Sequence, residues 1–171
     1  VGGSIALLDD GQTARFTPAT DQNDDTAEAF SFVVEAHDGQ DAGEPVTFSV
    51  SVSALNDAPT IAEVTLEAEE DTPVEVDLST VTTDVDSDAL TWTVDGAVGG
   101  EVSLLEDGVT ARFMSESDQN DAITDTGFSF VVTASDGALD SEARVILVNV
   151  AAQNDAPSMA PISLETDEDT A

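Results

Sequence analysis

Short runs of alternating apolar and polar residues recur along the whole chain, each broken by a turn-forming stretch. Val74-Glu75-Val76-Asp77-Leu78 alternates cleanly, and Leu90-Thr91-Trp92-Thr93-Val94 puts Leu90, Trp92 and Val94 on one face. Phe128-Ser129-Phe130-Val131-Val132-Thr133 does the same with Phe128, Phe130 and Val132. A period of two marks a half-buried β-strand, because successive side chains of a strand point to opposite faces. The same reading predicts strands over 64–68, 101–105, 109–113 and 144–150, with Glu106-Asp107-Gly108 as the turn of a hairpin between the middle two. An Asp-Gly pair between β-type runs favours such a turn because it tolerates positive φ. No stretch carries a convincing helical period.

The pattern also repeats at long range. Leu7-Leu8-Asp9-Asp10-Gly11-Gln12-Thr13-Ala14-Arg15-Phe16 returns as Leu104-Leu105-Glu106-Asp107-Gly108-Val109-Thr110-Ala111-Arg112-Phe113, an offset of 97. Asp21-Gln22-Asn23-Asp24 returns as Asp118-Gln119-Asn120-Asp121 at the same offset, and Phe30-Ser31-Phe32-Val33-Val34 as Phe128-Ser129-Phe130-Val131-Val132 at 98. One residue is therefore inserted between Asp121 and Phe128, where a loop absorbs it at least cost. Asn56-Asp57-Ala58-Pro59 returns as Asn154-Asp155-Ala156-Pro157, and Glu70-Asp71-Thr72 as Glu168-Asp169-Thr170.

A unit of about a hundred residues is too long for a solenoid repeat and fits one autonomous domain in a beaded array. The expected architecture is all-β: tandem seven-stranded Greek-key β-sandwiches of the immunoglobulin or cadherin kind, one complete and two partial. Residues 58–155 form the complete copy. Residues 1–57 hold only the last four strands of a preceding copy, so one inner face should be bare. Residues 156–171 supply a linker and the first strand of a third, and should be floppy in isolation. The chain reads as a fragment of a longer polypeptide.

Charge narrows the partners. Thirty-seven Asp and Glu against 3 Lys and Arg leave a net charge of −34. Nucleic acid is excluded, because phosphate binding needs a basic face, and an anionic membrane surface is excluded for the same reason. No apolar run is long enough to span a bilayer, so direct membrane insertion is not expected. Without cysteine there is neither a disulfide staple nor thiol chemistry. So much like charge argues for disorder, but 40% hydrophobic residues in strand-like periods argue for a core.

The acids cluster in the expected loops: Glu69-Glu70-Asp71, Asp84-Val85-Asp86-Ser87-Asp88, Asp118 and Asp121, Asp136, and Asn154-Asp155. Any one such loop reads best as solvated surface. The set reads differently. Two carboxylates about 4 Å apart repel by roughly 1 kcal/mol in water and about 4 at a protein surface. In a seven-strand sandwich the loops sort to two ends. The linker before Ala58 joins the loops of Asp84–Asp88 and Asp136 at the amino-terminal end. The loops of Glu70-Asp71 and Asp118–Asp121 join the Asn154-Asp155 linker at the other. Calcium, which takes six to eight hard oxygens, is the expected partner of acids gathered this way.

In these residues the chain resembles the cadherin-like tandem repeats of large bacterial surface and secreted proteins, including calcium-dependent adhesins exported by type I secretion. The Asn-Asp-Ala-Pro linker resembles the cadherin linker. Asp84-Val85-Asp86 looks like the cadherin Asp-x-Asp pair, and Ala134-Ser135-Asp136 like its Ala-x-Asp motif, with Ala36-His37-Asp38 the same element one copy earlier. Glu70 looks like the first-strand glutamate. Asp118 and Asp121 stand roughly where cadherins carry Asp-x-Glu, in a different local sequence.

The resemblance implies Ca2+ bound between domains, arrays stiffened into rods, and an extracellular or bacterial cell-surface location. It implies neighbouring repeats of the same chain as partners, and glycans or proteins of a host or bacterial surface as adhesive targets. The implied ligands are Asn56, Asp57, Asp84, Asp86 and Asp136 at one junction, with Asp21 and Asp24 as additions. At the other they are Glu70, Asp71, Asp118, Asp121, Asn154 and Asp155.

Other residues read as structure. His37, the only histidine, is replaced by Ser135 in the second copy. Trp92, the only tryptophan, and all seven Phe sit on strands and read as core. Arg15 and Arg112 share one repeat position and should each pair with a carboxylate. No Ser/His/Asp constellation, Cys/His pair or phosphate-cradling glycine loop points to catalysis. Two other readings remain: a carbohydrate-binding accessory module of a secreted polysaccharide-acting protein, which exposed aromatics on one face would favour, and a salt-adapted sandwich without a metal site.

Overall fold

The computed structural model describes residues 2–25, 29–86, 89–123, 127–163 and 165. Of the sequence expectations, those for Ser87, Asp88 and Glu168-Asp169-Thr170, and the inserted loop position at 124–126, lie outside them. By contacts the chain divides into two units. The first comprises Val1–Thr60, Thr83–Leu90 and Ser135–Ser141; the second comprises Ile61–Thr82, Thr91–Ala134 and Glu142–Ala171.

The first unit contains β1 (Gly3–Leu7), β2 (Ala14–Pro18), β3 (Phe30–Val34) and β4 (Val46–Val50). They form two antiparallel pairs, β1 with β2 and β3 with β4, with Ile5 opposite Phe16 and Phe32 opposite Phe48. The rings of Phe16, Phe32 and Phe48 stack in a row, 6.4 and 5.4 Å apart. Phe48 is nonetheless 48% exposed and Leu7 67% exposed. The expectation that every Phe is core therefore fails at Phe48. Ile146, the repeat counterpart of Phe48, is fully buried. The second unit adds Ile61, Leu78 and Trp92 to its core, and residues 2–57 contain no counterpart of these three.

The remaining strands are β5 (Thr60–Ile61), β6 (Thr65–Glu69), β7 (Val74–Asp77), β8 (Thr82–Thr83), β9 (Thr91–Val98), β10 (Gly100–Leu104), β11 (Thr110–Ser115), β12 (Phe128–Ser135) and β13 (Arg144–Ala151). One sheet of the second unit runs β10-β11-β7 and the other β6-β13-β12-β9. Phe113 of the first sheet lies 5.9 Å from Phe130 of the second, with ring planes 17° apart. Around them Ala111, Phe128, Val132, Ile146, Val148 and Val150 are buried. The molecule is nearly all β, as the alternation predicts, and the seven predicted strands appear with ends shifted by a few residues.

Two features differ from the expectation. The chain does not enter through one first strand. The two-residue β5 pairs with β8, and β6 then pairs parallel with β13, Leu66 opposite Val148 and Ala68 opposite Val150. The strand expected over 74–78 ends one residue early. Leu78–Thr80 form a 3₁₀ turn capped by Asp77, whose Oδ1 accepts the Ser79 amide at 2.9 Å and the Ser79 hydroxyl at 2.6 Å. Leu78 stays fully buried, and its carbonyl accepts the Thr82 hydroxyl at 2.8 Å. Thr82 in turn accepts the Trp92 indole N–H at 3.0 Å. Trp92 is thus a core residue with a satisfied polar handle.

The two copies share their local devices. Asp107 Oδ1 accepts the amides of Val109 at 3.0 Å and Thr110 at 2.9 Å, and its Oδ2 the Thr110 hydroxyl at 2.6 Å. Asp10 makes the same three bonds at 2.9, 2.8 and 2.6 Å. In both turns these bonds, the Thr hydroxyl first, hold the carboxyl below its ordinary pKa. Gly100 has no room for a Cβ against the Met114 carbonyl, and Gly3 has the same obstacle in the Thr17 carbonyl. Arg112 pairs with Glu75 across β11 and β7 at 2.8 Å, the ion pair expected for it. Both side chains are about half exposed, so its contribution is modest.

Candidate functional site

The sequence-selected acids fall into two groups. In the first unit, Asn56 Nδ2 donates to Asp136 Oδ2 at 2.8 Å and to the Asp57 carbonyl at 3.0 Å. The Asp57 amide donates to Asp86 Oδ2 at 2.8 Å, and the Asp86 amide to Asp84 Oδ1 at 2.9 Å. Asp136 Oδ1 is already occupied by its own turn, accepting Ala138 at 2.6 Å and Leu139 at 2.7 Å. The bond from Leu139, then Asn56, then Ala138 lower its pKa. All five selected residues therefore belong to one hydrogen-bonded set. Asp21 shares an open hollow with Asp57 and Asp86. Asp24 does not join them: it accepts the Ser51 hydroxyl and the Val52 amide, the first more strongly lowering its pKa.

In the second unit, the residue after β6, Glu70, is 3% exposed. Its Oε2 accepts the side-chain amide of Asn120 at 2.7 Å and its Oε1 the backbone amide of Gln153 at 2.6 Å. The next residue, Asp71, turns outward in the left-handed region at φ 59°, as does Asp118. The Asp118 amide donates to Asp71 Oδ1 at 3.3 Å. Asp71, Asp118 and Asp155 place one carboxylate oxygen each within 4.8 Å of one another, and among the described residues no other His, Cys, Asp or Glu trio comes this close. Partial loss of water, then the charges of Asp118, Asp71 and Glu70, raise the pKa of Asp155.

Asp121 stands apart from the trio. Its Oδ2 accepts the Val150 amide at 2.7 Å, repeating the bond of Asp24 to Val52. Asn154 folds onto its own linker, donating to the Asp155 carbonyl at 3.1 Å, as Asn56 does to Asp57. Asn120, 5% exposed and bonded to Glu70, is the neighbour of the trio that a search for carboxylates passes over. Its signal is positional: Asn23 and Asn120 occupy the same place in Asp-Gln-Asn-Asp, and both are buried.

The raised pKa of Asp155 fixes the sign of one prediction. A carboxyl raised on folding favours the folded state while protonated and opposes it once ionised. Asp155→Asn, a permanently neutral mimic, should therefore stabilise the metal-free protein at neutral pH. The advantage over wild type should shrink as pH falls through the carboxylate range and be absent below it. Chemical denaturation in chelator, at neutral pH and again below the carboxylate range, reads this; an advantage that persists at low pH would assign the effect to packing.

As to relatives, the profile described as a bacterial Ig domain matches residues 56–149. No curated protein sequence matches. Among solved structures, the endo-fucoidan hydrolase MfFcnA4 of glycoside hydrolase family 107 is similar at 18% identity and a TM-score of 0.41, over 88% of this chain and 22% of that one. The endo-fucoidan hydrolase MfFcnA9 is similar at 18% identity and a TM-score of 0.38, over 86% of this chain and 26% of that one. The chain thus spans about a quarter of their length. Among the described residues no helix is long and apolar enough to cross a membrane.

Proposed function

The chain belongs to the bacterial Ig domain family, and from that premise we propose that it is a non-catalytic, calcium-binding repeat segment of a bacterial cell-surface or secreted adhesin. Calcium at the junctions between repeats stiffens the array, which acts in adhesion or as an extender rod. Residues 58–155 are the complete repeat in this reading, between the end of one copy and the start of another.

The observation that carries the proposal is the convergence of Asp71, Asp118 and Asp155. They come from three separate segments, and two of them hold the left-handed backbone that non-glycine residues seldom adopt. Three like charges gathered this way oppose folding until a cation joins them. Carboxylate oxygens, with no thiol or imidazole in the set, suit calcium better than a transition metal. Glu70 adjoins this set through Asn120 and Gln153, while Asp121 and Asn154 are engaged with the Val150 amide and the Asp155 carbonyl. Asn56, Asp57, Asp84, Asp86 and Asp136 form the second, where the amide of Asn56 and the backbone of Asp57 hold the loop carboxylates in place. Trp92 is in the core, so it is not a platform for sugar binding.

Calorimetric titration with calcium tests this. Binding is expected at about 0.1 to 1 mM, the range of extracellular modules. Asp71→Asn with Asp118→Asn should remove one class of sites, and Asp84→Ala with Asp86→Ala the other. No heat of binding at calcium about tenfold above that range, or binding that survives both pairs, would sink the reading.

A further inference from the structure

Three segments of the second unit each contribute one residue to the exposed trio and one to a hydrogen-bonded contact centred on the buried Glu70. Glu70 precedes Asp71, Asn120 follows Asp118 by two, and Gln153 precedes Asp155 by two. The inner members are joined by short bonds: Asn120 to Glu70 at 2.7 Å and Gln153 to Glu70 at 2.6 Å. We propose that Asn120 is a positioning residue. Through Glu70 it latches the linker at Gln153 by protein contacts alone, and so sets where Asp155 stands relative to Asp71 and Asp118. The latch itself does not depend on a cation; only its effect on affinity rests on the calcium reading above.

The contact has the features of a device rather than of a surface accident. Glu70 is 3% exposed and Asn120 5% exposed, so the bond between them is shielded from bulk water, and the bond from Gln153 is partly so. Each carboxylate oxygen of Glu70 takes one donor, leaving no buried half-charge unsatisfied. The Asn120 amide cannot turn over freely, because its Oδ1 accepts the Ala122 amide at 3.0 Å. Asn23 makes the matching bond to Asp25 at 2.8 Å in the first unit. The backbone leads into the latch on one side: the Glu70 amide donates to the Ala151 carbonyl at 2.9 Å, one step beyond the β6–β13 ladder. The linker is thus guided to Gln153 by strand pairing and then held there by a side chain.

The test swaps donor and acceptor. In Glu70→Gln and in Asn120→Asp, two donors or two acceptors face each other. In the double variant E70Q/N120D the polarity of the pair is reversed. The side chain at position 70 then donates to the one at position 120, and its remaining oxygen still accepts the Gln153 amide. Amide exchange of Gln153 is measured by NMR on the whole chain in chelator, with β12 amides as the reference for global opening. Each single variant should exchange at Gln153 about tenfold to a hundredfold faster than wild type, the loss of a charge-assisted bond. The double variant should return to within a few-fold.

If a single variant fails to fold, the double variant still decides: folded with a protected Gln153 supports the pair, unfolded or unprotected overturns it. Terbium titration of the same proteins adds a second readout. N120D should weaken binding about tenfold although it adds a carboxylate, and the double variant should restore it. A wild type that binds no cation refutes the calcium reading while leaving the exchange result to judge the latch.

Discussion

Phe130→Ala is expected to destabilise the second unit by about 3–5 kcal/mol, read as a lowered urea midpoint with an unchanged slope. Phe130 is fully buried and stacks on Phe113 across the two sheets. Its truncation removes one of the two ring contacts that Phe113 makes across the layers and leaves a cavity between the sheets. A domain of this size has only about 5–15 kcal/mol in total, so the loss is a large share. Phe32 provides the control at the same repeat position. It stacks on Phe16 and Phe48, but that face is partly open, so Phe32→Ala should cost about 1–2 kcal/mol, close to the transfer of a half-buried side chain. Equal losses at the two positions would show that the two faces are equally covered and that the exposure of Phe48 and Leu7 has been misread.

Calcium at about a hundred times its dissociation constant should stabilise the folded chain by about 2.7 kcal/mol, and raise the melting temperature by about 10 °C or more. Chelator should reverse the shift, and sodium at equal ionic strength should not reproduce it. Specificity separates the two ions. Screening by salt weakens the repulsion among all the surface acids, whereas an ion held by Asp71, Asp118 and Asp155 acts only where their oxygens converge. Asp71→Asn with Asp118→Asn should therefore remove this set's share of the calcium effect and keep the salt part. If sodium and calcium act alike and the double variant changes neither, the acidic loops are solvated surface.

The strands were legible because most keep a period of two over a buried or half-buried face. Val74 to Asp77 and Phe128 to Ser135 show it most clearly. The split entry was not: Thr60-Ile61 is too short to carry a period, and only its partner Thr82-Thr83 gives it meaning. The turn at Leu78 escaped because a buried Leu satisfies a strand and a 3₁₀ turn equally; Asp77 followed by Ser79 and Thr80 was the available sign, since such side chains cap helical turns. In the site, the acidic loops were legible as loops. Which carboxylates meet was not, because that depends on backbone direction: Asp118 turns out at positive φ, Glu70 turns in, and Asp121 is used up on the Val150 amide. Asn120, neutral among acids, was invisible to a search for charge.

The pairing of β6 with β13 has a mechanical side. These strands run parallel, and they lie near the two places where the chain enters and leaves the second unit. A pull on those two ends draws the strands past each other along their length. The bonds between Thr65–Glu69 and Leu147–Ala151 are then loaded together in shear rather than opened one at a time. Forced unfolding follows the unfolding rate rather than the equilibrium stability. A module clasped this way can be thermodynamically ordinary and still hold tension, which suits a tether better than a larger core would.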